Sequence, residues 1–156
     1  MSIENPTVQE LLTIAKQENE ELKKQYVLDF GQFPNSTARD ISQDTGVNVI
    51  GARLILNPFG IAHVLKYHSH KKEKERGQIP VVDQDFDLVT TIVREHDSYQ
   101  IASPNQRGEP GIYFYKTINK VLYTVCMTYT DKKDRYTKER TDKKLTLSTM
   151  YKKNSQ

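Results

Sequence analysis

Apolar residues at Val8, Leu11, Leu12, Ile14 and Ala15 form one stripe of a helix, with charged and amide residues between them. Thr7 and Glu10 have the spacing of a capping box, and the pattern predicts a helix over "TVQELLTIAKQENEELKKQ". Gly31 and Pro34 then interrupt the chain. "NSTARDISQDTG" reads as a second helix, capped by Asn35 or Ser36 and stopped by Gly46. "VNVIGARLILN" is short and β-branched and is expected to be extended, up to Pro58 and Gly60. From Ile61 a helix is predicted, with Ile61, Val64, Leu65 and His68 on one face. "HKKEKERGQIP" continues it as a polar stretch until Gly77 and Pro80. "DQDFDLVTTIVREH" reads as a further amphipathic helix, with Asp83, Asp85 and Asp87 at its start and Arg94 and His96 at its end. That polarity suits the helix dipole.

After residue 97 the period changes from helical to alternating. "SYQIAS", "GIYFYKTI", "KVLYTVCMTYT" and "KLTLSTMY" are rich in Tyr, Val, Ile and Thr and are separated by turn signals. "INK", between Ile118 and Val121, marks a tight hairpin, and Asp131–Lys144 reads as a longer charged connection. Strict alternation in the last strand would put Leu145, Leu147, Thr149 and Tyr151 on one face. Helices followed by strands predict an α+β fold, with N-terminal helices packed on a C-terminal four-stranded antiparallel sheet. Residues 1–43 read as a helical extension, and residues 44–156 as the main domain.

Composition narrows the function class. Of the 156 residues 36% are hydrophobic and 28% charged, and no apolar run approaches the roughly 18 residues of a membrane span. "MSIENPTVQELL" lacks the basic start and apolar core of a secretory signal, and the single cysteine, Cys126, lies in an apolar run as a buried thiol would. A cytoplasmic setting and no membrane partner are the expectation. The net charge of +3 is unevenly spread: residues 103–156 hold twelve Lys/Arg against five Asp/Glu, net +7. Such a third attracts a polyanion, or is a lysine-rich solvated face.

The candidate chemistry centres on "NPFGIAHVLKYHSH", which holds three of the four histidines. On a helix His63 lies about 200° round from Ile61, whereas His68 falls within about 20° of it. The gaps of five and two do not match the i, i+4 pairing of zinc-binding helices, so no metal site and no cofactor is expected. His68 is a packing histidine or a desolvated titrating group at the helix–sheet seam. His63 is a surface residue or a cleft residue. Metal-free RNA cleavage is one reaction that a set of His, Lys, Thr and Tyr can serve, because the RNA's own 2′-hydroxyl is the nucleophile. The protein then needs only to move two protons and stabilise phosphate charge.

At this point the sequence resembles the barnase–EndoU–colicin–RelE nuclease superfamily, in particular its phage-type branch. The resemblance runs over "DTGVNVIGARLILNPFGIAHVLKYHS", "DFDLVTTIVREHDSYQI" and the strands ending "LSTMYKK". It implies helices against a four-stranded sheet, metal-independent endoribonuclease activity giving a 2′,3′-cyclic phosphate, a toxin or phage setting and a cognate inhibitor or immunity protein. It also implies that His63, His68, Thr149 and Tyr151 are catalytic and that Lys116 is the basic strand residue. Lys120, Lys144 or Arg135 could take that place instead. Lys66, Lys120, Arg135 and Lys144 are the candidate nucleic-acid contacts. The alternative is an inactive module of the same fold that binds nucleic acid or protein.

Overall fold

In the computed structural model, which describes residues 5–133, 135–138 and 140–155, the order of elements is helix-rich first and strand-rich last. The capping box at Thr7 forms as expected, but the first predicted helix is two: α1 (Val8–Ala15) and α2 (Glu20–Gln25). Asn19 causes the split, because its side chain caps a new helix by accepting from the Leu22 N–H. β1 (Leu28–Gln32) follows, then α3 (Asn35–Thr45). α3 ends at Gly46, whose φ of 78° is the left-handed conformation that glycine reaches without a Cβ penalty.

β2 (Arg53–Leu56) leads into α4 (Pro58–His68). The helix begins one turn earlier than its apolar periodicity suggests. Pro58 takes the first-turn position it tolerates, and the Asn57 side chain caps the Gly60 N–H at 2.8 Å. The polar stretch that follows is a 3₁₀ helix, Lys71–Arg76, separate from α4. The "DQDF…" segment is likewise a 3₁₀ helix, Asp83–Leu88, that passes into the short α5 (Val89–Arg94).

β3 (Ser98–Ala102), β4 (Gly111–Ile118), β5 (Val121–Lys133) and β6 (Arg140–Asn154) are the predicted antiparallel strands. Asn119 and Lys120, with φ of 50° and 65°, make the tight turn between β4 and β5. The sheet is larger than four strands, however. Its order is β1-β2-β6-β5-β4-β3, and β2 pairs parallel to β6, so the sheet is mixed and six-stranded. Leu54, Ile55 and Leu56 are all buried, which is the signature of a strand covered on both faces. The expected loop over Asp131–Lys144 is mostly strand as well, since Lys132 pairs with Thr141 and Lys133 with Arg140. Asp134 and Glu139 lie outside the described residues.

The core sits between one face of this sheet and the helices. It joins Leu11 and Leu12 of α1, Ala38 and Ile41 of α3, Ile61 and Val64 of α4 and Ile92 of α5 to Phe114, Val125, Met127 and Leu145. The N-terminal helix therefore shares the core of the strand-rich part. Near the end of β6 the Lys152 ammonium lies 2.8 Å from Asp85, and Tyr123 donates to the same carboxylate at 3.1 Å. This buried pair satisfies its charges locally, as burial requires.

Candidate active site

Where β2 ends, α4 takes its place beside β6. Gly60 makes the close approach possible: a Cβ there would meet the Leu147 carbonyl oxygen at 2.3 Å. The pairing of β6 with β5 carries a β-bulge near this contact. Met127 pairs with Leu147, but Cys126 pairs with Thr149, which leaves Ser148 as an extra residue. The bulge overturns the simple alternation expected for β6. Leu145, Leu147 and Met150 are buried toward the helices, and Thr149 and Tyr151 instead share the other face with Tyr113, Tyr115, Thr124 and Cys126.

The end of α4 meets this face. The His68 ring lies 5.7 Å from the Tyr151 ring and 6.2 Å from the His63 ring, and His63 lies 4.9 Å from Tyr67. Counting residues round a helix separates His63 from His68. Side chains on a helix lean back toward its N-terminus, however, so the His68 ring reaches up toward the turn that carries His63. His70 is exposed. His96 lies elsewhere, within 2.9 Å of the Val93 carbonyl and packed on Phe114.

Two electrostatic details distinguish the histidines. His63 is an exposed residue, yet desolvation by the groups packed round its ring, with His68 and Lys66 adding, holds it below the ordinary imidazole pKa. His68 instead has a partner. Its Nδ1 is 3.2 Å from Oε2 of Glu73, whose side chain is 1% exposed, while Arg76 donates to Oε1 at 3.1 Å. A carboxylate on Nδ1 fixes the ring orientation and leaves Nε2 for the site. On the sheet, burial and the neighbouring Tyr113 and Tyr115 push the Tyr151 hydroxyl above its usual pKa, so it stays a proton donor at neutral pH. The Thr149 hydroxyl is buried with no hydrogen-bond partner among the described residues, an unsatisfied polar atom beside Tyr151. Burial also pushes the Cys126 thiol up, as an inert thiol requires.

The structure thus brings His63, His68 and Tyr151 together, with Thr149 two residues from Tyr151 on the same face of β6. It does not bring Lys116 there. That residue sits on the helix side of β4, donates to the Glu95 carbonyl at 2.8 Å and lies 3.6 Å from Asp97. Lys66 is exposed on α4 with its Nζ 5.2 Å from the Tyr67 ring. Lys120 is in the β4–β5 turn, Arg135 is at the tip of the β5–β6 hairpin, and Lys144 pairs with Asp142 at 3.6 Å. Sequence reasoning misses Glu73, because a glutamate in "KKEKER" looks like part of a solvated face. It also passes over Tyr113 and Tyr115, whose i, i+2 spacing in "GIYFYK" is the available signal; their rings stack 6.3 Å apart.

Among the described residues no group of three or more His, Cys, Asp or Glu side chains converges as a metal site would, and no helix is long and apolar enough to cross a membrane. No curated protein and no solved structure matches the chain. The α+β order, with helices packed against a sheet built mostly from the C-terminal strands, agrees with the family comparison. Residues 32–156 match the family described as phage-Barnase-EndoU-ColicinE5/D-RelE like nuclease3, and the chain belongs to that nuclease family.

Proposed function

We propose that this nuclease is an endoribonuclease that cuts RNA by transesterification to a 2′,3′-cyclic phosphate. The observation that carries the reading is the position of His68, with its ring between those of His63 and Tyr151 where α4 meets the sheet. Neutral His63 takes the proton of the 2′-hydroxyl as that oxygen attacks phosphorus. The bond from phosphorus to the 5′-oxygen breaks, and the imidazolium form of His68 gives its Nε2 proton to the leaving oxygen. Glu73 acts as a positioning residue through Nδ1. Tyr151 donates a hydrogen bond to a non-bridging oxygen, where charge grows in the transition state, and Thr149 joins it once a rotation of its side chain brings the buried hydroxyl to the surface. Each proton transfer is worth about 10²–10⁴-fold. The set uses no metal or cofactor. An activity of this kind acts on RNA in the cytoplasm of a host or target cell, and a producing cell needs an inhibitor of it.

The test is incubation with total RNA in excess EDTA, followed by end-group analysis. The expected result is cleavage that leaves cyclic phosphate ends, with DNA and 2′-O-methyl RNA uncut. Dependence on a divalent ion, or equal cutting of DNA, would overturn the mechanism. Binding without cleavage would identify a binding module.

A further inference from the structure

The charge distribution along the sequence points to residues 103–156 as the polyanion-facing surface, but several of its lysines already have partners in the structure. Lys116 is paired with Asp97, Lys132 and Lys144 with Asp142, and Lys152 with Asp85. Lys143 is tied to the Ile50 carbonyl. A different basic surface lies beside the histidines. Where α4 turns into the Lys71–Arg76 3₁₀ helix, a cleft of about 690 Å³ is lined by Lys66, Tyr67, His70, Lys71, Lys72 and Arg76. No ion pair of Lys66, Lys71 or Lys72 occurs among the described residues, and all three are exposed. Glu73, the acidic residue next in sequence, is turned inward to His68 and Arg76. The cleft shares its Tyr67 wall with His63, 4.9 Å away, so a strand lying in it continues directly into the histidine pair.

We propose that this cleft is a phosphate-binding subsite that holds the backbone of a single-stranded nucleic acid next to the bond to be cut, and that Lys132, Lys143 and Lys144 of the β5–β6 hairpin are not. The proposal rests on the nuclease reading for its substrate, but not for its geometry. Three exposed ammonium groups without carboxylate partners release counterions on binding phosphate, whereas lysines already paired with Asp142 release few.

The experiment measures binding of a fully 2′-O-methylated single-stranded oligonucleotide, which cannot be cut by its own 2′-oxygen, across a salt series. The wild type is compared with K66Q/K71Q/K72Q and with K132Q/K143Q/K144Q. Each lost phosphate contact should lower the log–log salt slope by about 0.7 for a single strand, so the cleft variant should lose up to about 2. The hairpin variant should keep the wild-type slope. An unchanged slope in the cleft variant, a larger loss in the hairpin variant, or no salt dependence in the wild type would overturn the proposal. Cleavage of unmodified RNA by the wild type judges the nuclease reading separately. A protein that cuts RNA but binds unchanged without the cleft lysines refutes only the cleft, and one that binds through the cleft but never cuts refutes only the nuclease.

Discussion

His68 and Glu73 face each other across the break between α4 and the following 3₁₀ helix, with Nδ1 3.2 Å from a carboxylate that is almost wholly buried. A buried carboxylate must be paired, and Glu73 has two partners, His68 on one oxygen and Arg76 on the other. Glu73→Gln keeps the size and one acceptor but removes the charge. It should lower kcat on the order of 10-fold, a part of what a positioned acid supplies, and leave KM close to wild type. A purely structural role would instead lower the melting temperature and leave kcat per folded molecule unchanged.

His63 is the base in this scheme, and its pKa lies below the usual imidazole value. A base must be neutral, so activity falls as pH drops through its pKa. The acid limb of kcat/KM should therefore have its midpoint below the roughly 6.5 of a free imidazole. Lys66 is one cause of the lowering, so Lys66→Gln should move that midpoint upward. His63→Ala should abolish the limb and cost about 10²-fold or more in rate. A midpoint that Lys66→Gln moves downward would remove His63 from the role.

Much of this site is legible in the sequence because its residues sit on strongly patterned segments. The apolar face of α4 marks the helix that carries His63 and His68, and the β-rich run "KLTLSTMY" marks the strand that carries Thr149 and Tyr151. What is not legible arises from single local events. The Ser148 bulge moves Thr149 and Tyr151 off the face of Leu145, and no alternation rule shows where an extra residue falls. The parallel pairing of β2 with β6 is a contact between residues about ninety apart, to which local periodicity is blind. Glu73 is buried within "KKEKER", a run with no apolar period to mark an inward position.

Lys116 is the residue that the family resemblance favours for the phosphate, and its surroundings point elsewhere. It closes the C-terminal end of α5 by donating to the Glu95 carbonyl, and it pairs with Asp97. A cation there complements the helix dipole. Lys116→Ala should leave kcat within about 2-fold and lower stability by about 0.5–1 kcal/mol, as measured by denaturant unfolding. A loss of turnover as large as that of His63→Ala, at unchanged stability, would return Lys116 to the active site.

Gly60 links the helix to the bulged strand. Its Cα faces the Leu147 carbonyl so closely that even one methyl group would sit 2.3 Å from that oxygen, and this partner is backbone that cannot rotate away. Gly60→Ala is normally favourable in a helix by up to about 1 kcal/mol. Here α4 must instead move off β6 or the bulge must yield, and overpacking of this kind costs about 1–3 kcal/mol. Because α4 carries both histidines and β6 carries Tyr151, the shift also opens the His68–Tyr151 contact. Gly60→Ala should therefore lose stability and, at temperatures where it remains folded, lose kcat as well. Gly46→Ala gives the comparison. Gly46 has a φ of 78° but open space around it, so its substitution should cost stability through backbone strain and leave kcat per folded molecule unchanged. Equal kcat values for the two variants would show that the close packing of α4 on Leu147 does not set the geometry of the site.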